Sequence, residues 1–316
     1  MSTLLQGAYL GVADILSGVS LWVYGRVSYI IWTERRTTFN NPFYVLALTL
    51  GLFDMIVLLL QLIYATPIAV FGFDAMPWGF VFGGGLLNIF ATWSLLLLIV
   101  GICFNRLAAV ILLNAYTVKF TMKTAVIIIV ICVGLATFNT GFAYVVGCYF
   151  YVPEGIGYRW VCQYNSTGAR ISILYTQANA ALTSLAVLVI YLIIFCRIKK
   201  LGNPDSQERQ LAVQFSLISI AYLGYAAVHW ITAELAMRGI FKSDVAEVVT
   251  GIAALLNSAI NPYIYLKYTS EIRSKFFASL IALIQPSVVQ PSMVDPRRLS
   301  ASVRPALTPS RRSFRD

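Results

Sequence analysis

Charged residues are scarce in this sequence. Asp, Glu, Lys and Arg make up 11% of its 316 residues, whereas 59% are hydrophobic. Soluble domains carry about 25% charged residues, so the chain lacks the side chains that a water-facing surface of this size requires. The shortage excludes an ordinary soluble enzyme, a nucleic-acid-binding domain and a disordered protein. A bilayer must therefore surround most of the molecule.

Histidine and cysteine are also scarce, with one and five copies. None of them has metal-ligand spacing, so neither a zinc nor a di-iron site is expected, and no cofactor is expected. Cys103, Cys132 and Cys196 lie in apolar stretches, which predicts buried thiols. Cys148 and Cys162 have thirteen residues between them. On an oxidising face they can form a disulfide worth roughly 3 kcal/mol, and two unpaired thiols are the alternative.

Long apolar stretches dominate the rest of the chain. A helix needs about 20 mostly apolar residues to cross a bilayer. Seven stretches meet this need: 7–31, 43–71, 81–110, 123–148, 171–196, 210–236 and 245–267. The predicted fold class is an all-α membrane protein, a seven-transmembrane helix bundle followed by a short amphipathic eighth helix.

Basic residues are divided unequally between the two sides of this bundle. Seventeen lie in one set of loops and after the last span, against four on the opposite side. Cytoplasmic loops are enriched in Lys and Arg, so the N-terminus is expected outside and the C-terminus in the cytoplasm, as in a multi-pass plasma-membrane protein. The one glycosylation sequon, at Asn165, falls on the outer side. The net charge of +10 thus indicates topology and attraction to anionic lipid, and not nucleic-acid binding.

A few polar residues interrupt the apolar stretches. An ionisable residue there costs roughly 2.5–3.5 kcal/mol on insertion scales, so each calls for a partner or a role. They are Asp54 in the second stretch, Arg106 in the third, and Asn257, Ser258 and Asn261 in the seventh. Taken singly, each is explained by a structural hydrogen bond between helices. Taken together, they predict a polar seam that suits a conformational switch.

The seventh stretch carries the most specific motif. Residues 257–265, Asn-Ser-Ala-Ile-Asn-Pro-Tyr-Ile-Tyr, resemble the seventh-helix signature of rhodopsin-like G-protein-coupled receptors. Asp54 resembles the aspartate of their second helix. Asn105-Arg106-Leu107 resembles their acidic-Arg-Tyr motif with only the arginine kept. Several other marks of the family are missing, and with the short N-terminus this pattern is similar to nematode serpentine chemoreceptors.

The resemblance implies a small-molecule ligand in the outer half of the bundle and a heterotrimeric G protein on the cytoplasmic side. The residues expected to contact the G protein are Arg106, Tyr191 and Tyr265. The central polar switch is expected to comprise Asp54, Asn257, Ser258, Asn261 and Arg26. Arg26 either forms an ion pair with Asp54 or extends to the membrane interface. Because Asn105 replaces the acidic residue beside Arg106, some basal signalling is predicted.

The ligand-binding residues are predicted from polar and aromatic side chains in the outer halves of three spans. They are Asn88, His229, Trp230, Glu234 and Glu247. Asn88 lies about five helical turns outward from Arg106, where amine receptors carry an aspartate, so a biogenic amine is disfavoured. The expected ligand is a chemosensory cue.

The C-terminal part has a different composition. Residues 268–284 predict an amphipathic helix on the inner membrane surface. Residues 285–316 hold five of the eleven prolines and predict a disordered cytoplasmic tail. Ser300 and Ser313 follow arginines and are candidate phosphorylation sites, through which kinases and arrestin-like partners would act. The full division is an extracellular N-terminus at 1–6, the receptor domain at 7–267, the amphipathic helix and the tail.

A seven-span ligand-gated channel or transporter is the alternative function. Insect-type odorant channels have a cytoplasmic N-terminus, which disagrees with the charge distribution. Transporters more often contain internal repeats, and none is visible in this sequence. No acidic or histidine cluster in the spans has catalytic spacing, so an enzyme is not expected.

Overall fold

The computed structural model describes residues 3–35, 39, 41–112, 116, 120–145, 148–151, 159–162, 167–201, 206–237, 240 and 243–284. Within these residues, seven long helical segments follow one another and are called span 1 to span 7. Their bounds are Thr3–Thr33, Pro42–Phe71, Trp78–Leu112, Met122–Val145, Thr167–Leu201, Ser206–Met237 and Ser243–Tyr268. A juxtamembrane helix, Ser270–Ile284, follows span 7.

Six of these spans are long and apolar enough to cross a membrane. In span 6, the apolar helix found among the described residues is the shorter Ser216–Thr232. Each of the seven predicted stretches corresponds to one span, so the prediction of an all-α seven-helix membrane bundle with an eighth helix is confirmed.

Span 2 begins at a well-formed cap and changes its helical type part-way. The side chain of Asn41 accepts a hydrogen bond from the Phe43 amide at 2.9 Å, and Pro42 occupies the first turn. The segment is α-helical over Pro42–Leu60, π-helical over Gln61–Ala65 and α-helical again to its end. Such π turns are uncommon and occur often at functional sites.

Span 3 lies at the centre of the packing. It contacts spans 2, 4 and 5, and its buried face includes Ala91, Leu98 and Ile102. Span 7 packs against spans 1, 2 and 6. Spans 3 and 7 are therefore each surrounded by at least three other spans.

A two-stranded antiparallel sheet follows span 4, which the sequence had not indicated. Its strands are β1, Cys148–Tyr151, and β2, Arg159–Cys162, with Cys148 directly opposite Cys162. Strand β1 packs against spans 3 and 4. We call this the strand-pair end of the bundle, and the opposite end, where span 3 finishes, the Arg106 end.

The juxtamembrane helix is anchored to span 1 through its first two turns. Ile272 and Phe276 are buried, and the Phe276 ring meets Trp22 edge-on with centroids 5.7 Å apart. Lys275 pairs with Glu34 at 2.6 Å. Residues 1–277 form one compact unit and 278–316 a second, of which the structure describes only the end of this helix.

Candidate functional site

A buried carboxyl group joins spans 1, 2 and 7. Asp54 is 1% exposed, and its Oδ2 accepts hydrogen bonds from the Tyr24 hydroxyl at 2.6 Å and from Asn261 Nδ2 at 2.7 Å. Ser258 lies close enough to interact with the same group. The structure thus brings together Asp54, Ser258 and Asn261, three of the residues predicted for the central switch, and adds Tyr24 to them.

Of the two alternatives for Arg26, the described residues show no ion pair with Asp54. Residues two positions apart on a helix point about 200° apart, so Tyr24 and Arg26 leave span 1 in nearly opposite directions. Tyr24 is buried and faces Asp54, whereas Arg26 is half-buried and makes no ion pair with it among the described residues. Asn257 is also half-buried and has no described hydrogen bond to Asp54.

Tyr24 was not predicted because it belongs to no motif. Only the helical spacing of the polar residues in span 1 indicates that it faces the bundle. Ser17, Ser20 and Tyr24 are almost fully buried and recur at spacings of three and four, which places them on one face of span 1. Tyr24 fits there because a glycine faces it. A β-carbon at Gly51 would lie 2.9 Å from the Tyr24 ring.

A second polar site lies at the Arg106 end. Arg106 is 6% exposed, and its guanidinium carbon lies 3.8 Å from the centroid of the Phe43 ring. Four tyrosines lie near this guanidinium: Tyr44, Tyr116, Tyr191 and Tyr265. The structure therefore brings together Arg106, Tyr191 and Tyr265, the three residues predicted to contact a G protein.

Asn105, which stands where related receptors carry an acid, makes a different contact. Its Nδ2 donates to the Tyr116 hydroxyl at 2.9 Å, and Tyr116 stacks on Phe120 with centroids 5.5 Å apart. Asn105 is fully buried. It therefore ties the end of span 3 to the segment before span 4.

Two buried polar contacts hold span 6 near the same end. Gln214 donates to Thr269 at 2.8 Å, and Thr269 stands between span 7 and the juxtamembrane helix. The Ser219 hydroxyl lies 4.0 Å from the Cys103 sulfur on span 3. Any outward movement of this end of span 6 must break both contacts.

The predicted ligand-binding residues are not all in similar surroundings. Asn88 is 5% exposed within the bundle, whereas Trp230 is 42% exposed and His229 is also exposed. Glu234 and Glu247 lie on spans 6 and 7, but their side chains are outside the described part of the structure.

A polar and aromatic cluster nearby was not predicted. The Tyr175 hydroxyl donates to the buried Asn139 at 2.7 Å, and the Tyr175 ring lies near Phe142 and Trp93 at 5.5 and 6.3 Å. These residues belong to spans 3, 4 and 5. On span 6, Thr232 shares a hydrogen bond of 2.8 Å with Thr250 of span 7. Both contacts join neighbouring spans toward the strand-pair end.

The remaining site residues divide into three groups. Cys103 and Cys132 are buried free thiols as predicted, but Cys196 is exposed on the surface of span 5, which corrects its predicted burial. For Cys148 and Cys162, the structure describes the backbone only. The positions predicted for glycosylation and phosphorylation lie outside the described residues: Asn165, Ser300 and Ser313.

Sequence comparison decides the family. Residues 23–220, more than half of the chain, match the serpentine type 7TM GPCR chemoreceptor family Srx. The chain belongs to this family. No curated protein matches the receptor in sequence. The predicted resemblance to serpentine chemoreceptors is confirmed.

The structural comparison supports the same fold. The receptor is similar to the crystal structure of squid rhodopsin, with a TM-score of 0.73 and 13% sequence identity over 89% of this chain and 83% of that chain. At this identity the likeness concerns the fold alone. The family match includes Tyr24, Asp54, Arg106 and Tyr191, whereas the span 7 residue Asn261 lies beyond it and is placed by the structure.

Proposed function

We propose that this Srx-family receptor binds a small extracellular chemosensory ligand in the outer half of its bundle and activates a heterotrimeric G protein on the cytoplasmic side. One observation carries the proposal. A buried arginine, Arg106, lies among tyrosines at one end of the bundle, in contact with spans that also hold the Asp54 network.

A continuous set of residues supports coupling between the two sites. Asn261 binds Asp54, and Tyr265 follows one helical turn later on span 7. Tyr265 lies near both Asp54 and Arg106. A ligand that moves span 7 would therefore change the surroundings of Arg106.

The proposed orientation places the strand pair outside and the Arg106 end in the cytoplasm. The excess of basic residues on the Arg106 side supports it, since cytoplasmic loops carry this excess. In this orientation the receptor lies in the plasma membrane with the juxtamembrane helix against inner-leaflet lipid. Glycosylation of Asn165, and phosphorylation of Ser300 and Ser313 with arrestin binding, belong to the same proposal.

The proposed ligand contacts are Asn88, His229, Trp230, Glu234 and Glu247. Asn88 has the strongest support because it is the one whose described side chain is buried inside the bundle. An uncharged amide at this position favours a hydrogen-bonding ligand over a cationic amine.

Replacing Arg106 with alanine is expected to lower basal nucleotide exchange at least tenfold, because the variant removes the buried cation around which the coupling site is built. The measurement is GTP-analogue binding by purified heterotrimers of each Gα class, with the receptor in nanodiscs. Arg26→Ala is the matched control, since Arg26 is a half-buried arginine of span 1 that makes no ion pair with Asp54 among the described residues.

Two results would contradict the proposed function. One is equal basal exchange by Arg106→Ala and the unmodified receptor at equal amounts of folded protein. The other is a ligand-evoked membrane current in cells that lack G proteins, which would support the channel alternative.

A disulfide between Cys148 and Cys162 is expected in the mature receptor. Residues directly opposite in an antiparallel pair have Cα atoms about 4.5–5.5 Å apart, which is within the range of disulfides. Mass mapping of peptides without reduction should find the two cysteines linked and lighter by two hydrogens, which pass to a thiol–disulfide oxidant of the secretory pathway. Cys196, an exposed free thiol, is the control and should be alkylated without reduction. Alkylation of all three cysteines without reduction would refute the bond.

A further inference from the structure

We propose that the aromatic ring of Phe43 restrains Arg106 in the resting receptor through a cation–π contact. The guanidinium carbon lies 3.8 Å from the ring centroid, well within the distance of about 6 Å at which this attraction acts. Both residues are shielded, with Phe43 at 0% and Arg106 at 6% exposure. Shielding strengthens the contact because water does not compete for the cation.

The position of Phe43 is fixed by its neighbours in span 2. Its amide donates to the Asn41 cap, and Pro42 precedes it in the first helical turn. Its ring packs edge-on against Tyr44 at 5.0 Å, and Tyr44 packs against Phe39 at 4.7 Å. Phe43 therefore presents a pre-positioned ring face to the cation and needs little further ordering.

The surroundings of Arg106 explain why a ring is used. Asn105 directs its amide to Tyr116 and carries no charge that could attract the neighbouring guanidinium. Tyrosines from spans 2, 5 and 7 and from the segment before span 4 also lie near the guanidinium. The face of an aromatic ring attracts a cation, and Phe43 supplies the ring described directly beneath the guanidinium.

The contact joins span 2 to span 3 at the end where the proposed G-protein site lies, so this inference rests on the proposed function. Arg106 can meet a G-protein segment only after it leaves the Phe43 ring. A ring from another helix thus takes the place of the acidic neighbour that Asn105 replaces. Phe43 is a positioning residue: it determines the fraction of receptors in which Arg106 has left the ring.

Stepwise fluorination of the Phe43 ring provides the test, because fluorine withdraws charge from the ring face while leaving its shape nearly unchanged. Phenylalanines with one, two and three fluorines are introduced into the full-length receptor by nonsense suppression. Basal nucleotide exchange should rise with each fluorine and reach about fivefold, which corresponds to about 1 kcal/mol at 1.4 kcal/mol per tenfold. Phe43→Leu should behave like the trifluorinated ring, and Phe43→Trp should retain the basal level of the unmodified receptor.

Phe53 offers the matched control. It is buried in the same span and packs edge-on against Phe90 at 5.6 Å, with no described contact to a cation. Fluorination of Phe53 should leave basal exchange unchanged. Equal exchange across the whole Phe43 fluorine series would overturn the inference.

A readout without G protein separates this inference from the proposed function. Amide hydrogen exchange in residues 100–112 should become faster with each fluorine at Phe43 and stay constant with fluorine at Phe53. If no variant stimulates any G protein but this hydrogen-exchange trend is found, the proposed function fails and the restraint stands. If nucleotide exchange depends on Arg106 but neither measurement follows the fluorine series, the restraint fails and the proposed function stands.

Discussion

Asp54→Ala is expected to destabilise the bundle by about 3 kcal/mol, because two buried donors lose their acceptor and each unsatisfied donor costs about 1–3 kcal/mol. The donors are the Tyr24 hydroxyl and Asn261 Nδ2, on helices at either side of Asp54. Because burial of an acidic group is itself unfavourable, its removal offsets part of this loss of stability. The measurement is the thermal unfolding midpoint of the purified receptor in nanodiscs.

One further variant isolates the bond from Tyr24, and another serves as the control. Tyr24→Phe removes one donor while keeping the ring, so its loss of stability should be less than half that of Asp54→Ala. Asp74→Ala is the control, since Asp74 is exposed in the turn between spans 2 and 3. If Asp54→Ala and Asp74→Ala unfold at the same temperature, Asp54 does not hold the three spans together.

Gly84→Val is expected to cost about 3 kcal/mol or more through overpacking. A β-carbon at this position would overlap the ring of Tyr64, with Tyr64 Cγ 2.9 Å away. The ring cannot easily move aside, because Tyr64 is 1% exposed and its hydroxyl donates to the Val81 carbonyl at 2.9 Å. We expect most of the variant to be retained inside the cell, as measured by surface labelling of an N-terminal tag.

The neighbouring glycine provides a close control for this variant. A β-carbon at Gly83 would have no heavy atom within 4 Å, so Gly83→Val should reach the surface as the unmodified receptor does. Replacing Tyr64 with alanine in the Gly84→Val background should restore part of the surface signal. Surface expression that is the same for Gly84→Val and Gly83→Val would mean that spans 2 and 3 are less tightly packed than the structure indicates.

The fold was predictable because insertion into a bilayer depends mainly on length and apolar composition. Those two properties are visible in the sequence, and each predicted stretch corresponds to a helix. The irregular features were not predictable in this way. The π turn at Gln61–Ala65 and the strand pair are short, and neither leaves a periodic pattern in the sequence.

The candidate sites were predictable where a polar residue stands out in an apolar stretch. Asp54, Asn261 and Arg106 are of this kind, and the structure places all three in buried polar contacts. Phe43 is one of nineteen phenylalanines, and in the sequence nothing separates a ring that holds a cation from one that faces lipid.

Arg26 shows the opposite case. A charged residue in an apolar stretch is visible in the sequence, yet the direction of its side chain depends on the rotation of span 1. That rotation is fixed by packing, for example by Tyr24 against Gly51. The sequence therefore located Arg26 in span 1 but did not determine which face of the helix it occupies.

The two hydrogen-bond partners of Asp54 lie at very different distances from it along the chain. This difference affects the order in which the bonds can form during synthesis. Tyr24 precedes Asp54 by 30 residues, whereas Asn261 follows it by 207. N-terminal segments leave the ribosome first, so Asp54 enters the membrane long before span 7 exists. Its insertion would otherwise cost roughly 2.5–3.5 kcal/mol throughout that interval. Tyr24 is already present, and it serves the nascent chain as an early partner for an acid whose second partner is among the last residues to be translated.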